Sequence, residues 1–159
     1  MSTDLKITTG SKAEQYEALI PQIKGLLHGE KDWIANLANI SASLKEQFDW
    51  LWVGFYLVKN DELVLGPFQG PVACTRIKKG RGVCGKAWEQ MNAIIVEDVS
   101  KFPGHIACSS LSKSEIVIPV MHNGKFTGVL DVDSVFFNSF DKTDERYLKE
   151  IIEILDENI

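Results

Sequence analysis

The chain has 159 residues, a net charge of −5 and 45 % hydrophobic side chains, enough for one domain with a proper core and no need of disulfide staples. Its longest basic cluster, Arg76-Ile77-Lys78-Lys79-Gly80-Arg81, is too small for a nucleic-acid surface but can meet a small anion locally. No apolar run approaches the roughly 20 residues of a membrane span, residues 1–10 lack the apolar stretch of a signal peptide, and three cysteines, an odd number, point to reduced thiols, so a soluble cytoplasmic protein is expected.

Residues 11–28 read as a helix opened by a capping box of Ser11 and Glu14, with Pro21 expected to kink or split it. A second helix over 31–48 places Ile34, Leu37, Ile40 and Leu44 on one stripe. Strand patterns follow at 51–59, 63–68 and 72–77, with Asn60-Asp61 as the first hairpin turn. A short helix over 82–90 and a short strand over 93–96 come next. Residues 97–114 show no period, and a connection of that length inside a compact domain commonly carries function. Strands at 115–122 and 125–133 flank Asn123-Gly124, a strong two-residue hairpin signal. Asp141 or Thr143 caps a last helix reaching about residue 156, with Tyr147, Ile151 and Leu155 buried. The order describes a single α+β domain: a largely antiparallel central sheet with helices packed mainly on one face.

Period-two alternation sorts the strand faces. In the first strand Leu51, Val53, Phe55 and Leu57 form an aliphatic-aromatic face suited to the helices. Trp50, Trp52, Gly54 and Tyr56 form the other, where large aromatics around a glycine suggest a flat-walled hollow. In the last strand Phe126, Gly128, Leu130 and Val132 oppose Thr127, Val129, Asp131 and Asp133. Two carboxylates at i and i+2 repel each other, so one should hold its proton to unusually high pH and be able to donate it, or pair with an ammonium group. With a plain two-residue turn, Asp131 pairs with Ile116 and Glu115 faces away from the acids. One bulged residue between Glu115 and His122, near the non-donating Pro119, would bring Glu115 to the acid face.

The cysteines are Cys74, Cys84 and Cys108, without a C-x-x-C pair. Three readings are open: buried inert thiols, a zinc site with His105 that the spacing of Cys74 and Cys84 fits badly, or a nucleophile with resolving partners. Cys108 suits the nucleophile best, because it lies in the long loop with His105 and Lys113 available to favour a thiolate. No metal or bound cofactor is expected.

The strings Trp52-Val53-Gly54-Phe55-Tyr56, Gly66-Pro67-Phe68-Gln69-Gly70, Gly82-Val83-Cys84-Gly85, His105-Ile106-Ala107-Cys108, Ser114-Glu115-Ile116-Val117-Ile118-Pro119 and Gly128-Val129-Leu130-Asp131-Val132-Asp133-Ser134 stand in this order. Together they closely resemble the free methionine-(R)-sulfoxide reductases, a GAF-domain family of thiol enzymes. The match is dense from about residue 51 to 145 and looser in the first two helices. The resemblance implies that Cys108 is the nucleophile, that Glu115, Asp131 and Asp133 bind the substrate ammonium and help protonate the departing oxygen, and that Trp52 and Tyr56 hold the substrate methyl group. It implies further that Cys108 becomes a sulfenic acid and that Cys74 resolves it as a disulfide, with Cys84 as second candidate or relay. Thioredoxin would then reduce the disulfide. A homodimer is a further expectation, since GAF domains often pair through their helices. The family often carries an acidic residue after the nucleophile, where this chain has Ser109.

Donors for the substrate carboxylate are expected among backbone amides of residues 109–114, and a pocket charging both ends of an amino acid should reject methionine sulfoxide within a peptide. Two other functions compete with the enzyme: a redox sensor using the same cysteines, and a GAF ligand-binding module. For the latter, Asn138-Ser139-Phe140 followed by Asp144-Glu145 partly resembles the N-K-F-D-E signature of cyclic-nucleotide-binding GAF domains, without its lysine.

Overall fold

A computed structural model describes residues 3–159; Met1 and Ser2, the start of the polar N-terminal stretch, lie outside it. Helix α1 (Lys12–Leu27) opens on the expected capping box, with the Ser11 hydroxyl accepting from Glu14 N and the Glu14 carboxylate accepting from Ser11 N. The helix runs unbroken through Pro21, whose ring sits on the exposed side. Helix α2 (Trp33–Phe48) is capped by Asp32, which accepts from Ala35 N at 2.8 Å. Leu37, Ile40 and Leu44 are buried as the stripe required, whereas Ile34 in the first turn is 51 % exposed.

Strands β1 (Trp52–Lys59), β2 (Glu62–Gln69), β3 (Arg76–Lys78), β4 (Ile94–Val96), β5 (Ser114–His122) and β6 (Lys125–Ser134) form one antiparallel sheet in the order β3-β2-β1-β6-β5-β4. Helix α3 (Gly82–Gln90) connects β3 to β4. Helix α4 (Lys142–Glu157) closes the chain, capped by Asp141, with Tyr147, Ile151 and Leu155 buried. The strand expected from residue 72 begins only at Arg76: Val72 is 88 % exposed, and residues 71–75 run irregularly between β2 and β3.

The sheet divides the interior in two. On one side α1, α2 and α4 bury Val53, Phe55, Leu57, Ile116, Ile118, Leu130 and Val132 against Leu19, Ile23, Leu37, Ile40, Leu148 and Ile151. On the other, α3 and the long connections cover Trp52, Tyr56, Val117 and Val129. Three of the four helices thus share a face, as the sequence led one to expect. Alternation misplaces two residues just before β1: Trp50 stacks on Phe48 at 4.3 Å on the helical side, and Leu51 joins the opposite side. The strand starts at Trp52, so period two does not yet govern them.

The irregularity required to turn Glu115 toward the acids is present. The β5–β6 register shifts between Val120 and Met121, pairing Val120 with Gly128 and Met121 with Phe126. Thr127 is the extra residue, and its hydroxyl donates to Val120 O at 3.0 Å. The bulged residue therefore belongs to β6 rather than β5. Below it Glu115 pairs with Asp133, and Val117 with Asp131. Beyond it Phe126 changes face and stacks on Trp88 of α3 at 5.5 Å, away from the helical core where plain alternation put it.

Candidate active site

On the α3 side of the sheet a cleft opens between the aromatic strand face, the start of α3 and the long β4–β5 loop. Its walls bring together Trp52, Tyr56, Cys84, Cys108, Glu115, Asp131 and Asp133, with Cys74 at the rim through its bond to Cys108.

The aromatics position one of the sulfurs. Trp52 Nε1 donates to Pro71 O at 3.1 Å, and Tyr56 Oη donates to Cys74 O at 2.9 Å. Both polar tips thus pin the irregular segment that carries Cys74 to the sheet. The hollow expected above Gly54 is filled: a Cβ there would lie 2.3 Å from Phe68 Cβ and 2.6 Å from Trp52 Cη2. The glycine lets the Trp52 ring lie flat, stacked with Phe68 at 5.2 Å and with Tyr56 at 5.8 Å.

Cys74 and Cys108 form a disulfide across 34 residues of sequence, with Cα atoms 5.5 Å apart. This removes both thiols from any zinc set with His105. Cys108 is exposed, whereas Cys84, in the first turn of α3, is a buried free thiol. Burial raises the Cys84 pKa well above the usual thiol value, and the nearby Asp131 and Glu115 raise it further.

The three acids lie on one face because of the Thr127 bulge. Glu115 and Asp131 are buried, and Asp133 is partly buried with Ser112 Oγ donating to its Oδ1. Burial, reinforced by Asp133, pushes Glu115 up to about 8. Asp131 is raised well above the usual carboxylate range by burial and then by Glu115, and Asp133 by burial and then by Asp131. Asp131 Oδ1 is buried and meets no donor among the described residues. A proton held on the Asp131–Glu115 pair, or a ligand donor, would satisfy it. Cys84 Sγ and one oxygen each of Glu115 and Asp131 lie within 4.8 Å of one another. They are close enough to share a cation, which would have to displace protons that burial holds on all three groups.

Two neighbours expected to favour a thiolate have other partners. His105 Nε2 lies 3.6 Å from Glu115 Oε2, with its pKa lowered by burial, so it meets the acid as a neutral ring. Lys113 Nζ sits over the Phe137 ring at 5.1 Å. Ser112 and the contact of His105 with Glu115 were not readable from sequence, since no period orders the loop that carries them. Ser109 accepts from Leu111 N at 3.2 Å, and Lys113 N donates to Ser134 O at 2.8 Å, so part of the amide set of residues 109–114 is already bonded internally.

Comparison with known proteins places this geometry. A family profile for the GAF domain matches residues 36–158. The chain is 66 % identical to GAF domain-containing protein A of Dictyostelium discoideum, over 98 % of this chain and 99 % of the relative. It is 47 % identical to the free methionine-R-sulfoxide reductase of Escherichia coli, over 89 % of this chain and 87 % of the relative. Among solved structures it is similar to the free methionine-R-sulfoxide reductase of Neisseria meningitidis in complex with its substrate, at a TM-score of 0.96 and 53 % identity, covering 99 % of this chain and 95 % of the other.

Proposed function

Because this chain belongs to the free methionine-(R)-sulfoxide reductase family of GAF domains, we propose that it reduces free methionine-(R)-sulfoxide to methionine, with Cys108 as nucleophile. The observation that carries this reading is the cleft itself, where the Cys74–Cys108 pair meets a cluster of buried, proton-holding carboxyl groups beside two aromatic rings.

The chemistry follows from those groups. The Cys108 thiolate attacks the sulfoxide sulfur while the acid cluster protonates the oxygen, which is otherwise a poor leaving group. The S–O bond breaks as water leaves, which gives a sulfonium bonded to Cys108. Water then attacks the Cys108 sulfur, the new S–S bond breaks, methionine departs, and Cys108 is left as a sulfenic acid. The Cys74 thiol then attacks Cys108, water leaves, and the disulfide forms. Cys74 is the resolving residue in this scheme, because its backbone is pinned by Tyr56 within bonding reach of Cys108. The buried, strongly protonated Cys84 serves as a reserve thiol. Thioredoxin returns both sulfurs to thiols, taking up the disulfide itself. Glu115, Asp131 and Asp133 bind the substrate ammonium, and Trp52 and Tyr56 form the wall for its methyl group. No bound cofactor enters any step.

The test is methionine release from free L-methionine-(R)-sulfoxide with thioredoxin and its reductase, for the wild type and Cys108→Ser. Turnover by the wild type and a loss of at least about 1,000-fold in the variant are expected. A folded wild type without turnover would discard the enzyme in favour of a ligand-binding or sensing module. Equal turnover by both would discard Cys108. The sulfoxide within a peptide should react negligibly.

A further inference from the structure

Cys84 is the one sulfur that the proposed reaction keeps only in reserve. It sits in the first turn of α3, 3 % exposed, beside two acids that are themselves buried. Its Sγ and one oxygen each of Glu115 and Asp131 lie within 4.8 Å of one another, and His105 Nε2 stands 3.6 Å from Glu115 Oε2. Burial drives His105 toward its neutral form, which keeps a lone pair on the ring. A thiol, two carboxyl groups and an imidazole are thus gathered on one cleft from α3, β5, β6 and the β4–β5 loop.

The protein supplies this group with no positive partner of its own. Among the described residues neither Glu115 nor Asp131 pairs with a lysine or arginine, and the one such residue lining the cleft, Arg81, is exposed. An independent observation calls for a ligand: Asp131 is 7 % exposed, and its Oδ1 meets no donor among the described residues. We propose that the cleft also binds a thiophilic divalent cation of the zinc class, held by Cys84 Sγ and by oxygens of Glu115 and Asp131, with His105 Nε2 as fourth ligand.

The donor set selects the ion. Magnesium and calcium demand six or more oxygens, whereas one sulfur, one imidazole and two carboxylates suit zinc. Zinc bonds of about 2.0–2.3 Å set tetrahedral ligands roughly 3.5 Å apart. The His105–Glu115 edge has that length already, and side-chain rotation closes the others. Binding releases the protons of Cys84 and of the acid pair to solvent, and the cation turns the repulsion among their charges into coordination. This set uses a single sulfur and leaves the bonded Cys74 and Cys108 out, unlike the zinc set weighed from sequence. The ion occupies the place that the substrate ammonium takes in the proposed function, so it competes with the sulfoxide. That competition rests on the proposed function; the site itself does not.

The experiment starts from the oxidised protein, in which Cys84 is the only free thiol. Cobalt(II) chloride is added as a spectroscopic stand-in for zinc. A sulfur-to-cobalt charge-transfer band in the near ultraviolet, with visible bands of a four-coordinate site, is expected, and zinc chloride should bleach both. Cys84→Ser, checked for folding by its thermal midpoint, should abolish the charge-transfer band. It should weaken zinc at least about 100-fold, the upper end of what losing a mere outer-shell partner costs. Glu115→Gln and Asp131→Asn retain the thiol and should each weaken cobalt as well. Absence of the band in the wild type, its survival in Cys84→Ser, or unaltered affinity in both acid variants overturns the site. In single turnovers of the reduced wild type, zinc should raise the half-saturating sulfoxide concentration, and Cys84→Ser should lose that effect. Equal inhibition of the two refutes the competition. A wild type without turnover removes the proposed function, and the cobalt spectra still decide the site.

Discussion

Two buried aspartates, Asp144 and Asp131, show opposite ways of placing a carboxyl group inside this protein. Asp144, at the start of α4, is fully buried and fully partnered. Its oxygens accept from Lys12 Nζ at 2.6 Å, Tyr16 Oη at 2.7 Å and Asp141 N at 2.9 Å. It ties α1 to α4 and closes the capping box. Asp131, on the central strand β6, is also buried, but it faces a second acid and a thiol, and its own Oδ1 meets no donor among the described residues. Burial with compensation builds structure; burial without it stores a proton or awaits a ligand. Burial alone does not separate the two roles, and only the list of partners does.

Exchanging charges at the two sites breaks the comparison most sharply. Asp131→Asn should lower turnover by at least about 100-fold while the thermal midpoint stays level or rises, because an uncompensated acid is replaced by a neutral isostere. Loss of stability in that variant would mean that Asp131 is structural after all. Asp144→Ala should do the reverse. It breaks a buried, multiply bonded charge and should cost about 3 kcal/mol in urea unfolding, with turnover per folded molecule retained.

The pH dependence sharpens the same contrast. Glu115 releases its proton at about 8 in the folded protein, against 4.5 for a free glutamate. Between these values the folded chain keeps a proton that the unfolded chain has lost, so stability falls as pH rises, by up to about 1.4 kcal/mol per pH unit from this group. The contribution is fully present below about pH 4.5 and gone above about pH 8. Glu115→Gln should flatten that slope, and an unchanged slope would assign the proton elsewhere. The smallest effect is expected from Tyr56→Phe, which removes the hydrogen bond to Cys74 O. It should cost about 1 kcal/mol and slow disulfide formation after a single turnover, read by free-thiol counting.

Much of the architecture was legible because local rules and tertiary packing agree. The capping box of α1, the Asp141 cap offered for α4, the Asn123-Gly124 hairpin and the bounds of α3 follow from residue types at fixed spacings. Where they disagree, the sequence misled. Thr127 gives no local sign of being the bulged residue, yet it decides which way Phe126 and Glu115 face. The need for a bulge was readable from the acids, but its strand was not. Residues 72–75 have strand composition, but the Tyr56 hydroxyl takes up Cys74 O and regular pairing with β2 begins only after Thr75, whose carbonyl accepts from Leu65 N at 2.9 Å.

By itself the sequence determined the α+β order, the aromatic face of β1, the acids of β6 and the candidate sulfurs, since period, caps and turn residues are local properties. Tertiary structure decided which sulfurs meet, that Cys84 is buried while Cys108 is exposed, that His105 turns to Glu115, and that the start of α3 faces the acid cluster. Each depends on groups brought together from distant strands and loops, whose burial and partners set their proton affinities. No local spacing carries that information.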